Sequence, residues 1–323
     1  MSDTGYVLGI DTSNYRTSVA VTDSSGQVIC DIREFLEVRE GHRGLRQSDA
    51  LFQHVRMLPV LMKRLRDDFG GSFSAVAYSS KPRPVEGSYM PVFMAGKCTA
   101  ESIAAAADIP VFAFSHQEGH IQAVKSFSPF AESEHIMACH FSGGTCELLD
   151  VKMADGHENR YDIRIAGGSK DISFGQVIDR AGVMLGMGFP AGEEMDGIAA
   201  SADECSSMLT PVKVSDAYIN LSGLDTQMRN SLEKIPANER DALIKELFVR
   251  IGDAVVRLLV QGAEKTGCSD VIMAGGVSSS RFIRNYTKEK AEKAGLEVFF
   301  DSRGLSQDNA VGTALLGGME LWG

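Results

Sequence analysis

Ile109-Pro110-Val111-Phe112-Ala113-Phe114-Ser115 runs directly into His116-Gln117-Glu118-Gly119-His120. The first six residues are an apolar run with strand character, and Ser115 is a good helix N-cap. A helix starting there puts His116 and His120 at i and i+4, one turn apart on one face. Two imidazoles at that spacing can reach a single metal ion, as in other helical His-x-x-x-His sites. Two ligands do not complete a site, so the remainder must come from distant positions. The pentapeptide also reads as a polar helix start with two solvated histidines, and on its own it leaves both readings open.

Upstream, Tyr6–Ser13 is an apolar strand ending in a small polar turn, Thr17–Val21 a second strand and Val28–Arg33 a third. Strand, polar turn, strand is how a chain presents amides and hydroxyls to a phosphate, although most hairpins bind nothing. Leu51, Val55, Leu58, Leu61 and Leu65 recur at helical spacing across Asp49–Arg66. Ser74–Ser79 reads as a short buried strand. Pro82, Pro84, Gly87 and Pro91 mark an irregular loop, and Ala95–Ala107 is strongly helix-forming.

Downstream, the same unit recurs. Ile136–Phe141 is a strand, Ser142-Gly143-Gly144-Thr145 a turn, Glu147–Val151 a strand again, and Tyr161–Ile165 follows. This repetition predicts two lobes built on one plan. Gly175–Leu185 is expected to be helical, with Gly188–Gly192 breaking it. Thr210–Met228 reads as loop-rich, and Glu239–Thr266 as one or two long helices. Val271-Ile272-Met273 is a buried strand entering Ala274-Gly275-Gly276-Val277-Ser278, where a glycine turn before helix Ser280–Ala294 offers free N–H groups to an anion. Gly295–Phe300 is the last strand, and Ser306-Gln307-Asp308 is read as opening a helix of small residues suited to close packing.

The chain has 323 residues, 44% of them hydrophobic and 23% charged, which is enough for two domains with cores of their own. Its net charge of −11 opposes broad nucleic-acid binding. Local basic clusters remain at Arg39, His42, Arg43, Arg46 and Arg56, and at Lys81-Pro82-Arg83-Pro84; both also read as solvated surface. The six scattered cysteines contain no Cys-x-x-Cys pair and suit a reducing compartment. No apolar run approaches the ~18 residues of a membrane span. The start lacks signal-peptide features, so the expected location is the cytoplasm.

Together these motifs resemble the TsaD family, the transferases that make N6-threonylcarbamoyladenosine in tRNA and that older usage calls glycoproteases. The resemblance covers nearly the whole chain. It implies an α/β fold of the actin-like ATPase (ASKHA) type: two lobes with duplicated mixed-sheet subdomains and nucleotide bound between them. Residues 1–115 would form the N-terminal lobe, with helix 306–323 packing back on it, and 116–305 the C-terminal lobe. His116–His120 resembles the family's His-x-Glu-Gly-His, and Asp308-Asn309-Ala310 its Asp-Asn-Ala or Asp-Asn-Gly. Ser142-Gly143-Gly144, Ser222–Thr226 and Ala274–Arg284 resemble further family segments, as do Gly175, Asp179, Pro190 and Gly192.

The implied roles are specific. His116, His120 and Asp308 would hold Fe2+ or Zn2+, with His140 either a fourth ligand or a core histidine. Ser142, Gly143, Gly144, Thr145, Gly175, Gly192, Gly275, Gly276 and Ser278 would cradle ATP, AMP or a carbamoyl-adenylate, with Asp179 and Asp196 on ribose hydroxyls. Either aspartate also reads as a helix-surface charge. Asp11, Ser13 and Arg16 would sit at the reacting end. In the family reaction the adenine amine attacks a threonylcarbamoyl-adenylate made by a partner enzyme, and AMP leaves; the metal polarises the carbamoyl oxygen.

Three departures stand out. The family's Cys-Asp-Glu-Thr becomes Asn14-Tyr15-Arg16-Thr17, which reverses the local charge. Its Gly-Pro-Gly loop becomes Lys81-Pro82-Arg83-Pro84, and the glutamate of Gly-Glu-Ala-Phe-Asp becomes Gln176. His54 and Arg56 do fall in a helix resembling the family's Ser-Arg-Asp-His segment. A divergent paralogue fits this pattern. Three readings follow: a carbamoyl-type transferase acting on tRNA or another amine, an ATP- or AMP-binding regulatory subunit, or a scaffold. The scaffold would pair as a homodimer or heterodimer through Asp49–Arg66 and Ala95–Ala107, since relatives pair through N-terminal-lobe helices. Turnover separates the first reading from the other two, and nucleotide binding separates the second from the third.

Overall fold

The computed structural model describes residues 5–13, 15–38, 45–154 and 159–323. Asn14, Arg39, His42 and Arg43 lie outside them. The chain forms two compact units. Unit 1 comprises Met1–Phe127, Met153–Asp162 and Arg303–Gly323; unit 2 comprises Ser128–Lys152 and Ile163–Ser302. The sequence reading draws the boundary at 115/116, ahead of the His116 helix. Here that helix lies in unit 1.

The elements in chain order are β1 (Tyr6–Asp11), β2 (Arg16–Asp23), β3 (Val28–Phe35), α1 (Gln47–Asp68), β4 (Ala75–Lys81), α2 (Phe93–Ala107), β5 (Val111–Ser115) and α3 (His116–Lys125). Then come β6 (His135–Phe141), β7 (Cys146–Met153), β8 (Tyr161–Ser169), α4 (Phe174–Met184), α5 (Gly192–Ser201), β9 (Val214–Ser215), β10 (Tyr218–Ile219) and α6 (Ser222–Leu232). The chain closes with α7 (Arg240–Thr266), β11 (Asp270–Ala274), α8 (Arg281–Lys293), β12 (Glu297–Phe300) and α9 (Val311–Trp322).

The unit 1 sheet runs β3-β2-β1-β4-β5, with β1–β3 antiparallel and β1, β4 and β5 parallel. The unit 2 sheet runs β12-β11-β6-β7-β8-β10-β9, with β6, β11 and β12 parallel and β7 antiparallel to β6. Its first five strands repeat the order of unit 1, so the duplicated mixed-sheet plan is present. Central strands buried on both faces read as continuous apolar runs, as Val7-Leu8-Gly9-Ile10 and Ile136-Met137-Ala138-Cys139 do.

Two stretches differ from the sequence reading for physical reasons. Thr210–Met228 is not loop-rich throughout, because α6 starts at Ser222. Its first amides find an acceptor far away in sequence: Asp171 Oδ1 accepts from Leu221 N at 2.8 Å and Oδ2 from Ser222 N at 3.0 Å. Burial raises the Asp171 pKa, but these amides outweigh it and hold the carboxyl well below its usual range. The final helix starts at Val311, beyond Asp308; Ala310 is its N-cap, and Asn309 Oδ1, one residue earlier, accepts the first helical amide, Val311 N, at 2.9 Å.

Two glycines set the packing that matters most. A Cβ on Gly312 of α9 would lie 1.8 Å from the Gly119 carbonyl oxygen of α3. The two helices therefore touch backbone to backbone. By contrast, a Cβ on Gly197, inside α5, meets nothing within 4 Å. Gly312→Ala should destabilise the protein by about 1–3 kcal/mol and lower its melting temperature by several degrees. Gly197→Ala should be neutral or stabilising by up to about 1 kcal/mol. Thermal melts of both variants check the contrast.

Candidate functional site

The first site lies in unit 1. Ser115 and Glu118 form a reciprocal capping box: Ser115 Oγ accepts the Glu118 amide at 3.2 Å, and Glu118 Oε2 accepts the Ser115 amide at 2.8 Å. Glu118 Oε1 accepts the Arg160 amide at 2.8 Å. The buried glutamate inside the histidine motif is thus a brace for the helix start, which fixes the phase of α3 and aims both imidazoles one way.

They aim at Asp308. Its Oδ1 lies 3.4 Å from His116 Nε2 and 2.9 Å from His120 Nε2, and one donor atom from each of the three residues lies within 4.8 Å of the others. The imidazole rings are edge to face, 4.4 Å apart. Three ligands held about 2.0–2.1 Å from a tetrahedral ion would sit roughly 3.3 Å from one another. The donor set and its spacing therefore fit a divalent ion with a position left for substrate.

Behind the triad, His116 Nδ1 donates to Asp11 Oδ1 at 3.0 Å, and Ser13 Oγ donates to Asp11 Oδ2 at 2.5 Å. A carboxylate on Nδ1 fixes the ring so that Nε2 faces Asp308, where it donates a proton without an ion and would offer its lone pair to one. Burial lowers the His116 pKa, but the charge and hydrogen bond of Asp11, with Asp308 behind them, raise it to about 10. Partial burial raises the Asp308 pKa, but hydrogen bonds from His116 and His120 hold the carboxyl well below its usual range. A buried carboxylate, Asp11, and a partly buried one, Asp308, thus favour positive charge between them. Arg16 Nη1 donates to the Asp308 carbonyl at 3.4 Å, so its guanidinium borders the triad.

The second site lies in unit 2. A cavity of about 680 Å3 is lined by Gly143, by Gln176, Asp179, Arg180, Val183 and Met184 of α4, and by Phe189 and Arg229. That volume suits a small-molecule or cofactor site. Ser142 Oγ accepts the amides of Gly144 at 3.3 Å and Thr145 at 3.0 Å, while Ser173, the N-cap of α4, donates to the Gly143 carbonyl at 2.8 Å. Gly175 lets α4 approach the turn, since a Cβ there would lie 2.7 Å from Gly143 Cα. Gly275, at φ +92°, passes closer still to Phe141, whose carbonyl oxygen a Cβ would meet at 2.3 Å.

The sequence candidates divide between these places. Asp11, Ser13, Arg16, His116, His120 and Asp308 gather in unit 1; Gly143 and Asp179 line the unit 2 cavity. Asp179 Oδ1 also accepts the Ala191 amide at 2.9 Å, next to Gly192 at the start of α5. Asp196 accepts the Arg281 and Phe282 amides at 2.8 and 3.0 Å and so caps α8, away from the cavity lining. Gly276 and Ser278 form a short 3-10 turn, with Ser278 Oγ donating to Ala274 O at 2.9 Å. His140 is on β6 in unit 2, paired in register with Glu147 and Ala274. His54 is buried, with Nδ1 2.8 Å from Thr17 Oγ1.

Sequence reasoning did not single out Arg180, Phe189 or Arg229 as cavity residues, nor Glu118 as a brace. The spacing of Ser115 and Glu118 is a capping-box signature and carried the second signal; the two arginines carried none. Arg180 Nη1 and Arg229 Nη2 each lie 3.4 Å from Asp225 Oδ2, which joins α4 to α6 beside the cavity.

If Asp11 orients His116, Asp11→Asn should weaken Zn2+ or Fe2+ binding by roughly 10–100-fold and leave the fold intact. Calorimetric titration of the metal into wild type and variant, with far-UV circular dichroism as the fold control, measures this. Equal affinities would remove Asp11 from the site.

Comparison with known proteins identifies the family and the fold. Residues 38–315 match the family model described as TsaD, tRNA N6-adenosine threonylcarbamoyltransferase. A protein of that name from Thermus thermophilus is 30% identical over 315 residues, spanning 96% of this chain and 91% of the relative. Among solved structures, full-length HypF in its phosphate- and nucleotide-bound form superposes with a TM-score of 0.62 at 12% identity, over 99% of this chain and 47% of that one. A ROK hexokinase from Thermus thermophilus superposes at 0.53 and 14% identity, over 98% and 99%. Likeness at such low identity speaks for the fold alone, and the fold is the actin-like ATPase fold. A sequence match extending over nearly the whole chain, on that fold, makes this protein a member of the tRNA N6-adenosine threonylcarbamoyltransferase (TsaD) family, a family of transferases.

Proposed function

We propose that this chain transfers a threonylcarbamoyl or closely related carbamoyl group from its adenylate to an amine, with a tRNA adenosine as acceptor, using a metal held in unit 1 and a nucleotide held in unit 2. The observation that carries this reading is the His116–His120–Asp308 triad braced by Asp11, in a chain of this family.

Each group has a part that its surroundings support. His116 Nε2, His120 Nε2 and the Asp308 carboxylate would hold Fe2+ or Zn2+. When bound, such an ion supplies Lewis-acid polarisation of the carbamoyl oxygen. Asp11, steadied by Ser13, keeps His116 in the ligating tautomer. Arg16, whose guanidinium reaches the Asp308 carbonyl, adds a fixed positive charge at the rim that would attract a phosphate-bearing substrate. In unit 2, the Ser142–Thr145 turn faces phosphate, Asp179 accepts from ribose hydroxyls and Phe189 offers a ring to the base. Arg180 and Arg229 add positive charge at the cavity wall.

The bond changes are those of acyl transfer. The acceptor nitrogen attacks the carbamoyl carbon, the carbon–oxygen bond to phosphate breaks, and AMP departs with the electron pair as the nitrogen loses a proton. No covalent intermediate with the protein is needed.

A second reading has its own support. Tyr15 and Arg16 replace an acidic pair, and that change favours a paralogue that binds AMP or ATP and regulates or scaffolds a true transferase. The two readings separate in one assay: incubate metal-loaded protein with threonylcarbamoyl-adenylate and tRNA, alone and with the partner proteins of a relative, then quantify N6-threonylcarbamoyladenosine by mass spectrometry. The transferase reading predicts product, reduced at least 100-fold in His120→Ala. Metal and AMP binding with no product under either condition would overturn it in favour of the regulatory reading.

A further inference from the structure

We propose that Phe35, with the Arg16 guanidinium laid on one face, is a stacking platform that receives an unpaired purine base of the RNA acceptor beside the unit 1 triad. This deepens the transferase reading and rests on it.

Phe35 is the last residue of β3, and the register places it directly opposite Arg16 of β2. The Arg16 guanidinium carbon sits 4.0 Å from the ring centroid, and the same guanidinium reaches the Asp308 carbonyl. The ring is therefore tied to the triad through a single side chain. Phe35 is nonetheless 66% exposed, so with one face covered by Arg16 the other is open to solvent. Tyr15, beside Arg16 in sequence, is 44% exposed, and its carbonyl accepts the amide of Leu36, next to Phe35. Two aromatic rings and a cation thus gather at one sheet end, which distinguishes them from the single exposed hydrophobes ordinary on any surface.

The chemistry of this cluster favours a base. Single-stranded RNA is recognised by bases splayed out and stacked on aromatic rings and arginine planes, and a base that reacts must first leave its own stack. Among the described residues Arg16 forms no ion pair with a carboxylate, so its charge is available to a neighbouring phosphate. In a chain of net charge −11 such a local contact must do what a general basic surface cannot. The arrangement exists because Arg16 stands where the family pattern has an acidic residue.

The test uses the full-length, metal-loaded protein and an anticodon stem-loop RNA carrying 2-aminopurine at the acceptor adenosine. Wild type should bind it and quench the fluorescence. Phe35→Ala should bind roughly ten-fold or more weakly and lose the quench, Phe35→Tyr should keep both, and AMP affinity should be unchanged in each. If Phe35→Ala binds and quenches like wild type while wild type modifies tRNA, the platform is overturned and the transferase reading stands. If wild type binds no stem-loop and modifies no tRNA, both fall. If Phe35→Ala changes only the oligomeric state, the ring is a protein contact and the proposal is overturned.

Discussion

A backbone contact between two glycines underlies the candidate metal centre. Gly119 and Gly312 let α3 and α9 meet with no side chain between them. That approach carries Asp308, just ahead of α9, to within 2.9 Å of a histidine 188 residues earlier. Gly9 plays the same part on the sheet side, since a Cβ there would lie 2.4 Å from the Ala310 carbonyl oxygen. Small residues along the start of α9 are therefore a positional device as well as packing. The loop before that helix cannot move without moving Asp308, the third member of the triad.

Electrostatics complete what packing starts. Asp11 and Asp308 are both buried or nearly so, and both are held ionised by the imidazoles between them. Isolated buried carboxylates would be costly, so the arrangement is stable only with positive charge among them. A proton on His116 provides some of it, and a divalent ion would provide more. An ion entering through His116 Nε2 must displace a proton held with a pKa of about 10, which makes metal affinity rise with pH.

How much of this was legible in the sequence depends on the distance over which each signal acts. The duplicated strand–turn–strand plan and the phase of α3 are local patterns, and the apolar runs with Ser115 revealed them. The pairing of His116 and His120 with Asp308 entered through family resemblance, because periodicity carries no information across that separation. The start of α6 escaped reading because its cap, Asp171, lies 50 residues away. The start of α9 escaped because Asn309 competes with Ser306 as the start signal, and only the observed side-chain hydrogen bond decides between them. The cavity arginines were silent because Arg180 and Arg229 are ordinary helix-surface residues until α4 and α6 are packed together.

The substitutions around Tyr15 and Arg16 change the character of the rim and leave the three triad side chains in place, with Arg16 reaching the Asp308 backbone carbonyl. His116, His120, Asp308 and the Asp11 brace keep a consistent geometry, whereas the neighbouring charge is reversed relative to the family pattern. A chain altered in this way keeps the three candidate metal-ligating side chains together while presenting a different surface beside them. The central claim is therefore the metal centre itself, and X-ray absorption spectroscopy of the metal-loaded protein tests it directly. The account predicts a first shell containing two imidazole nitrogens at about 2.0–2.1 Å together with oxygen, reduced by one imidazole in His120→Ala. A shell of oxygen alone, or one containing sulfur, would contradict it.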